Sequence, residues 1–278
     1  MAQPRCHQRT HVELPLAEGQ FYVGALMTAW LGHSVVTGLP APVAIAVMIF
    51  GGMLVGALLL IGPALMRLNF GVDEVVTTLL LNFIVILFVG LMIEGPMRDP
   101  LAFGWPQSVP VDRSLRLPDL AERSRLHVGL LIALAAALVM WIVLSRTRYG
   151  LESRAVGVNA RASAFAGISL SRTILATAFL SGGLAGVAGT VEVLGVTGSV
   201  TTTLSPGYGY SGIVVAMLAA LHPLGVVAAA VFVATVFVGA DSMARATGVP
   251  SFIADVIMSV SLLCMLVALL FTSYRLRR

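Results

Sequence analysis

From Val43 to Met66 the chain carries no charged, hydroxyl or amide side chain. Apolar runs of about 18 or more residues are long enough to cross a hydrocarbon core of roughly 30 Å as a helix. Inside lipid every backbone amide must find its partner within the protein, which leaves helices or a closed barrel. The runs here are continuous rather than alternating in polarity, and that selects helices. The chain is 58% hydrophobic and 11% charged, whereas soluble domains are roughly 25% charged. It reads as an all-α polytopic membrane protein.

Eight crossings are expected, at about 20–38, 43–66, 73–95, 127–145, 173–197, 209–222, 224–242 and 251–272. Gly38 to Pro42 separates the first two, and "HPLG" at His222 to Gly225 separates the sixth from the seventh. The sixth is short and reads as a re-entrant or irregular piece. Cys6 and Cys264 lie far apart, without the spacing of a disulfide framework or a metal site. The opening residues lack the apolar core of a signal peptide.

All 17 cationic side chains are arginine. They sit between crossings rather than in one basic patch, which argues against nucleic-acid binding. A phosphate-cradling P-loop needs a lysine, and this chain has none. Arginine in loops favours the cytoplasm. The 96–126 loop holds Arg98, Arg113, Arg116, Arg123 and Arg125, matched by Arg146, Arg148, Arg154, Arg161 and Arg172 in the 146–172 loop. With eight crossings, Arg5, Arg9, Arg67, Arg275, Arg277 and Arg278 fall on the side of the 146–172 loop. That side is expected inside, and 96–126 outside.

The 146–172 loop is polar, and within it "NARASAFAG" has the marks of a short helix. Asn159 can cap its first amides and Gly167 can take the left-handed turn that ends it. Two turns are marginal alone in water, so the piece needs something to lie against. Ala162 and Phe165 offer an apolar edge, and Arg161 can face water or an acidic partner. Two readings stand side by side: a connector resting on lipid headgroups, or a docking element for another protein.

Ionisable and polar residues inside apolar runs are costly and mark candidate pathways. Glu192 lies inside the fifth expected crossing and Asn82 well inside the third. An interhelical hydrogen bond is the plainer role for Asn82, and helix N-terminal electrostatics the plainer role for Asp73 and Glu74. Glu18 and Gln20 precede the first crossing, while Asp241 and Asp255 border the last two. Phe21, Tyr22, Trp30 and Phe83 could stack on a base, although aromatic residues in such helices usually pack or anchor. Gly52 with Gly56, and Gly182 with Gly186, form GxxxG pairs that let helices approach closely. "GYSG" at 209–212 would suit an intramembrane serine protease with Ser211 as nucleophile. Such a serine needs a base within hydrogen-bond reach, and His222 along one helix would sit roughly 16 Å away.

A family resemblance rests on longer strings. "RAVGVNARASAFAGISLSR" followed by "FLSGGLAGVAGTVEVLG" resembles the signature of permease subunits in ABC-type importers, in the branched-chain amino acid, ribose and nucleoside group. Arg154, Ala155, Gly157, Asn159, Ala162, Ala164, Gly167 and Ile168 match its pattern, while Ser163 stands where alanine is more usual. "GYGYSGIVVAMLAALHPLG" is similar to the family's glycine-rich turn and short helix, with His222 replacing an asparagine. "EGQFYVGAL" and "FGVDEVVTTLLLNF" resemble the nucleoside-type branch at Glu18, Gly19, Gln20, Gly24, Gly71, Glu74, Thr78, Leu79 and Asn82, with Asp73 replacing an asparagine.

The resemblance implies a fold of the vitamin B12 and ribose importer permease type. Residues 18–278 would form the permease domain, and 1–17 an atypical head where family members carry further helices. It makes 146–172 a cytoplasmic coupling loop, with Arg154, Gly157, Asn159, Arg161, Ala162, Phe165 and Gly167 meeting an ATPase subunit. Glu18, Gln20, Glu74, Thr78, Asn82 and Glu192 become the candidate solute pathway. The implied partners are an ABC ATPase, a second permease subunit, an extracytoplasmic solute-binding protein and the lipid of a bacterial cytoplasmic membrane. No cofactor is expected, ATP being bound by the partner. Nucleoside is the first choice of cargo, with ribose-like sugars or branched-chain amino acids as alternatives. A non-transporting structural or receptor subunit is the reading of another class.

Overall fold

A computed structural model of the chain describes residues 17–34, 36, 38–120, 126–247 and scattered positions between 252 and 267. The head before residue 17 and most of the eighth expected crossing, 251–272, lie outside the described residues. The described elements are α1 (Glu18–Ser34), α2 (Ala41–Phe70), α3 (Glu74–Glu94), α4 (Gly129–Arg146), α5 (Arg148–Val158), α6 (Ala160–Phe165), α7 (Leu170–Glu192), α8 (Tyr208–Leu218) and α9 (Pro223–Thr247). A 3₁₀ turn at Arg113–Leu115 sits in the long loop, and a π turn at Val193–Thr197 extends α7.

Among the described residues five helices are long and apolar enough to cross a membrane: Ala41–Phe70, Glu74–Glu94, Gly129–Arg146, Leu170–Thr197 and Pro223–Ala246. The expected first and sixth crossings are shorter helices. α1 has 17 residues, about 26 Å at 1.5 Å per residue. α8 has 11 residues, about 16 Å, and cannot span a core of roughly 30 Å. It stops where Ala220 and Leu221 turn to positive φ, 49° and 59°.

Local chemistry sets the ends of the long helices. Pro40 precedes α2, a proline occupies its first turn, and Gly71 closes it in the left-handed region at φ 67°. Two residues later the Asp73 carboxylate accepts the Val75 N–H at 2.9 Å and starts α3. Arg67 and Glu74 form an ion pair across this turn.

The core is a three-helix contact of α1, α2 and α7 in which backbones nearly touch. A Cβ added to Gly56 would lie 2.5 Å from the Gly182 carbonyl oxygen. One added to Gly186 would land on the Gly52 carbonyl, and one on Gly24 would land on Gly186. Small residues allow this approach, and dispersion between backbones holds it where lipid offers no hydrophobic drive. Thr28 of α1 and Thr190 of α7 join hydroxyls at 2.9 Å in the same contact. α1 is therefore enclosed, with Phe21, Tyr22, Ala25, Leu26, Ala29 and Leu31 all buried.

α3 packs one face only. Thr78, Asn82, Val85, Val89 and Ile93 recur at helical spacing and are buried. Phe83, Leu87 and Leu91 on the other side are exposed and form an apolar surface of the kind lipid covers.

α2, α3, α4 and α7 follow one another as crossings, so the α2–α3 turn and the 146–172 loop lie at one end of the bundle. The long loop after α3 and the segment after α7 lie at the other, and they pair. Val111 N–H donates to the Gly198 carbonyl at 2.8 Å, Ser108 N–H to Val200 at 2.9 Å and Leu117 N–H to Leu194 at 3.0 Å.

Candidate functional site

The start of α1 is the most polar point of the buried bundle. Asn82 Oδ1, midway along α3, accepts the Gly19 N–H at 2.9 Å. A helix begins with amides that have no partner in the helix itself, so α3 supplies a cap from outside. Gly19 is small by necessity, since an added Cβ would lie 2.5 Å from Asn82 Oδ1.

Glu18 joins a second helix start. Its Oε2 accepts the Gly209 N–H at 2.6 Å, in the first turn of α8. Glu18 is 4% exposed and makes no ion pair among the described residues. Its oxygen caps the start of α8 instead. The rings nearby hold this junction. Phe21 meets Tyr22 and Tyr208 edge-on, each at 5.9 Å between centroids. Tyr22 donates its hydroxyl to the Thr202 carbonyl at 2.9 Å and accepts the Ser205 N–H at 3.1 Å.

Gln20, one residue further, is 1% exposed. Neither its Oε1 nor its Nε2 has a hydrogen-bond partner among the described residues. An unsatisfied buried amide costs about 1–3 kcal/mol, so this carboxamide is a stored polar capacity in the bundle.

The candidate pathway residues divide accordingly. Glu18 and Gln20 belong to the first turn of α1. There Asn82 of α3 accepts the Gly19 N–H and Glu18 the Gly209 N–H, while the Gln20 side chain leaves the helix on another side. Thr78 is buried one turn before Asn82 on the same face of α3, with its hydroxyl donating back to the Glu74 carbonyl at 2.8 Å. Glu74 stands apart, paired with Arg67 at the α2–α3 turn. Glu192 ends α7, half-buried. The Gly209 amide had no sequence signal as the partner of Glu18, only a glycine-rich opening to a short helix.

The loop after α4 is built as two short helices. Arg154 of α5 donates its Nε–H to the Gly150 carbonyl at 3.0 Å and its terminal nitrogen to the Leu144 carbonyl, tying α5 back to α4. Gly150 abuts the same Leu144 carbonyl, where no Cβ fits. Tyr149 bonds Thr177 of α7 at 2.8 Å. Asn159 then caps α6, its Oδ1 accepting the Ala162 N–H at 3.1 Å. Gly167 closes it at φ 82°, with Ile168 N–H reaching back to the Ser163 carbonyl at 3.0 Å. Gly157 lies within α5. Arg161, Ala162 and Phe165 face out, Phe165 at 94% exposure.

The protease geometry is absent. Ser211 Oγ donates to its own helix at Tyr208, 3.1 Å, and His222 Nδ1 accepts the Gly225 N–H at 3.4 Å. Among the described residues no group of His, Cys, Asp and Glu could hold a metal ion.

Residues 17–270 match the family described as branched-chain amino acid transport system / permease component. The glucose ABC transporter permease protein TsgB13 of Haloferax volcanii is 32% identical over 93% of this chain and 70% of its own length. The guanosine ABC transporter permease protein NupP of Bacillus subtilis is 32% identical over 88% of this chain and 71% of its own. The nucleoside ABC transporter permease protein NupB of Lactococcus lactis is 31% identical over 86% of this chain and 67% of its own. No solved structure matches.

Proposed function

The chain belongs to the family of branched-chain amino acid transport system permease components, and on that premise we propose that it is the membrane-spanning permease subunit of an ABC-type importer for nucleosides. The observation that carries the cargo is the pair of relatives named for guanosine and nucleosides, each matched over most of this chain. The junction of Glu18, Gln20 and Asn82 supports the same reading. It places a carboxylate, a carboxamide and two side-chain-capped helix N-termini inside an otherwise apolar bundle, and helix ends at such depth are where transporters place polar solutes. Aromatic rings at Phe21, Tyr22 and Tyr208 stand beside it.

In this reading energy comes from a separate ATPase that binds and hydrolyses ATP. It acts through the exposed edge of α6, with Arg161 and Phe165 as contacts and Arg154 transmitting displacement to the end of α4. A second permease subunit completes the pathway, and an extracytoplasmic binding protein delivers solute in a bacterial cytoplasmic membrane. A simple sugar is the second reading, favoured by the glucose permease relative.

The test is uptake in cells that express the chain with its neighbouring transport genes. Labelled guanosine or uridine should accumulate only when this chain is present, and excess unlabelled glucose should not compete. Accumulation of glucose alone would replace the nucleoside with the sugar.

A further inference from the structure

The loop after α3 carries a held apolar tip. Buried Asp99 organises it: the carboxylate accepts the Leu101 N–H at 2.9 Å and the Gln107 side-chain amide at 3.0 Å. Asp99 N–H donates to the Gln107 carbonyl at 3.1 Å, and Trp105 N–H to Ala102 at 2.9 Å. Between these ties Phe103 and Gly104 sit at positive φ, 48° and 91°. The turn presents Leu101, Phe103 and Trp105, all exposed.

The position of the tip says what meets it. Gly104, Trp105 and Pro106 fold back beside the last turn of α3, enclosing with Ile93, Glu94 and Arg98 a recess of about 270 Å³. α3 is one of the crossing helices, so its last turn marks the level where acyl chains give way to headgroups. The exposed apolar face of α3, through Phe83, Leu87 and Leu91, runs toward the same end. Arg98 and Glu94 flank the recess and form no ion pair with each other among the described residues. Tryptophan is enriched at the headgroup level, and an arginine guanidinium has the charge and donor geometry that suit phosphate.

We propose that residues 99–106 are an interfacial anchor seated in the lipid leaflet on their side of the membrane. Leu101, Phe103 and Trp105 enter the boundary between headgroups and acyl chains. The recess takes a zwitterionic phospholipid headgroup, its phosphate on Arg98 and its amine on Glu94. Ser108 binds both the carbonyl and the N–H of Val200, each at 2.9 Å, so lipid held at the tip ties the ends of α3 and α7 to one leaflet. The proposal rests on the chain crossing a bilayer and is independent of its cargo.

The experiment places a nitroxide at Phe103→Cys, with Cys6 and Cys264 replaced by serine, in the full chain. The protein is reconstituted in vesicles of phosphatidylethanolamine and phosphatidylglycerol. Power saturation should show oxygen reaching the label more readily than a water-soluble nickel chelate, at a depth of about 5–10 Å. A label at Phe165→Cys on the polar loop gives the aqueous reference. Nickel dominating at position 103 overturns the proposal, and so does a label shielded from both reagents, the mark of a covering protein. Arg98→Glu should lower the oxygen-to-nickel ratio, and an unchanged ratio removes the headgroup. With Trp30→Phe and Trp141→Phe, Trp105 remains as the sole tryptophan. Shallow brominated lipids should quench it more than iodide does, and the reverse order also overturns the anchor.

Discussion

Asn82 Oδ1 and the backbone N–H of Gly19 lie 2.9 Å apart, so the middle of α3 caps the beginning of α1. One residue earlier, Glu18 does the same for α8 through Gly209 at 2.6 Å. Two helix starts are thus satisfied by side chains from other helices, and the junction holds only while α1, α3 and α8 keep their mutual positions.

Asn82→Leu should remove the acceptor and leave the Gly19 N–H unpaired, at a cost of about 1–3 kcal/mol. The expected outcome is a lower thermal midpoint in detergent together with weakened uptake. A wild-type midpoint with normal uptake kinetics would remove Asn82 from both roles.

Gly186 and Gly183 are three residues apart and should respond differently to alanine. A Cβ at Gly186 meets the Gly52 backbone carbonyl, which cannot yield unless the helices separate. Overpacking of this kind costs typically about 1–3 kcal/mol. A Cβ at Gly183 lies 3.2 Å from Met53 Cγ, on a flexible side chain. Gly186→Ala should therefore lower the yield of folded protein in size-exclusion profiles while Gly183→Ala keeps it. Equal behaviour would mean that the α2–α7 contact is looser than described.

Thr28 and Thr190 share one hydroxyl-to-hydroxyl hydrogen bond at 2.9 Å. Each hydroxyl also lies near a carbonyl of its own helix, Thr28 by Gly24 at 2.8 Å and Thr190 by Gly186 at 3.0 Å. A double-mutant cycle of Thr28→Val and Thr190→Val should give a coupling near the membrane average of about 0.6 kcal/mol. Strictly additive effects would show that the back-bonds, and not the link between helices, carry the interaction.

Arg161→Glu and Phe165→Ala change exposed side chains, so stability should move by less than about 0.5 kcal/mol. If α6 docks the proposed ATPase subunit, co-purification with it should fall. Retained co-purification at wild-type level would exclude the α6 edge as its docking surface.

Legibility in the sequence followed the range of the signal. Asn159 and Gly167 bracket α6 because a cap depends on residues only a few positions away. The apolar run from Val43 to Met66 became the middle of α2 for the same local reason. The Glu18–Gly209 contact spans 191 positions and Thr28–Thr190 spans 162, and no local pattern reports on either. The 209–222 stretch already read as too short for a full crossing, but the place where α8 stops, at Ala220 and Leu221 in positive φ, had no such signal.

The residue order alone determined that this chain must satisfy its backbone in helices and enter lipid, because apolar length and hydrogen-bond closure leave no other solution. Glycine pairs marked α2 and α7 as packing helices, but nothing in the order separated the enclosed α1 from the half-exposed α3, since both read as apolar. Tertiary packing decided that α1 is enclosed by α2 and α7 while α3 turns half its surface outward. The glycine contacts that make this choice exist only once three backbones have come together.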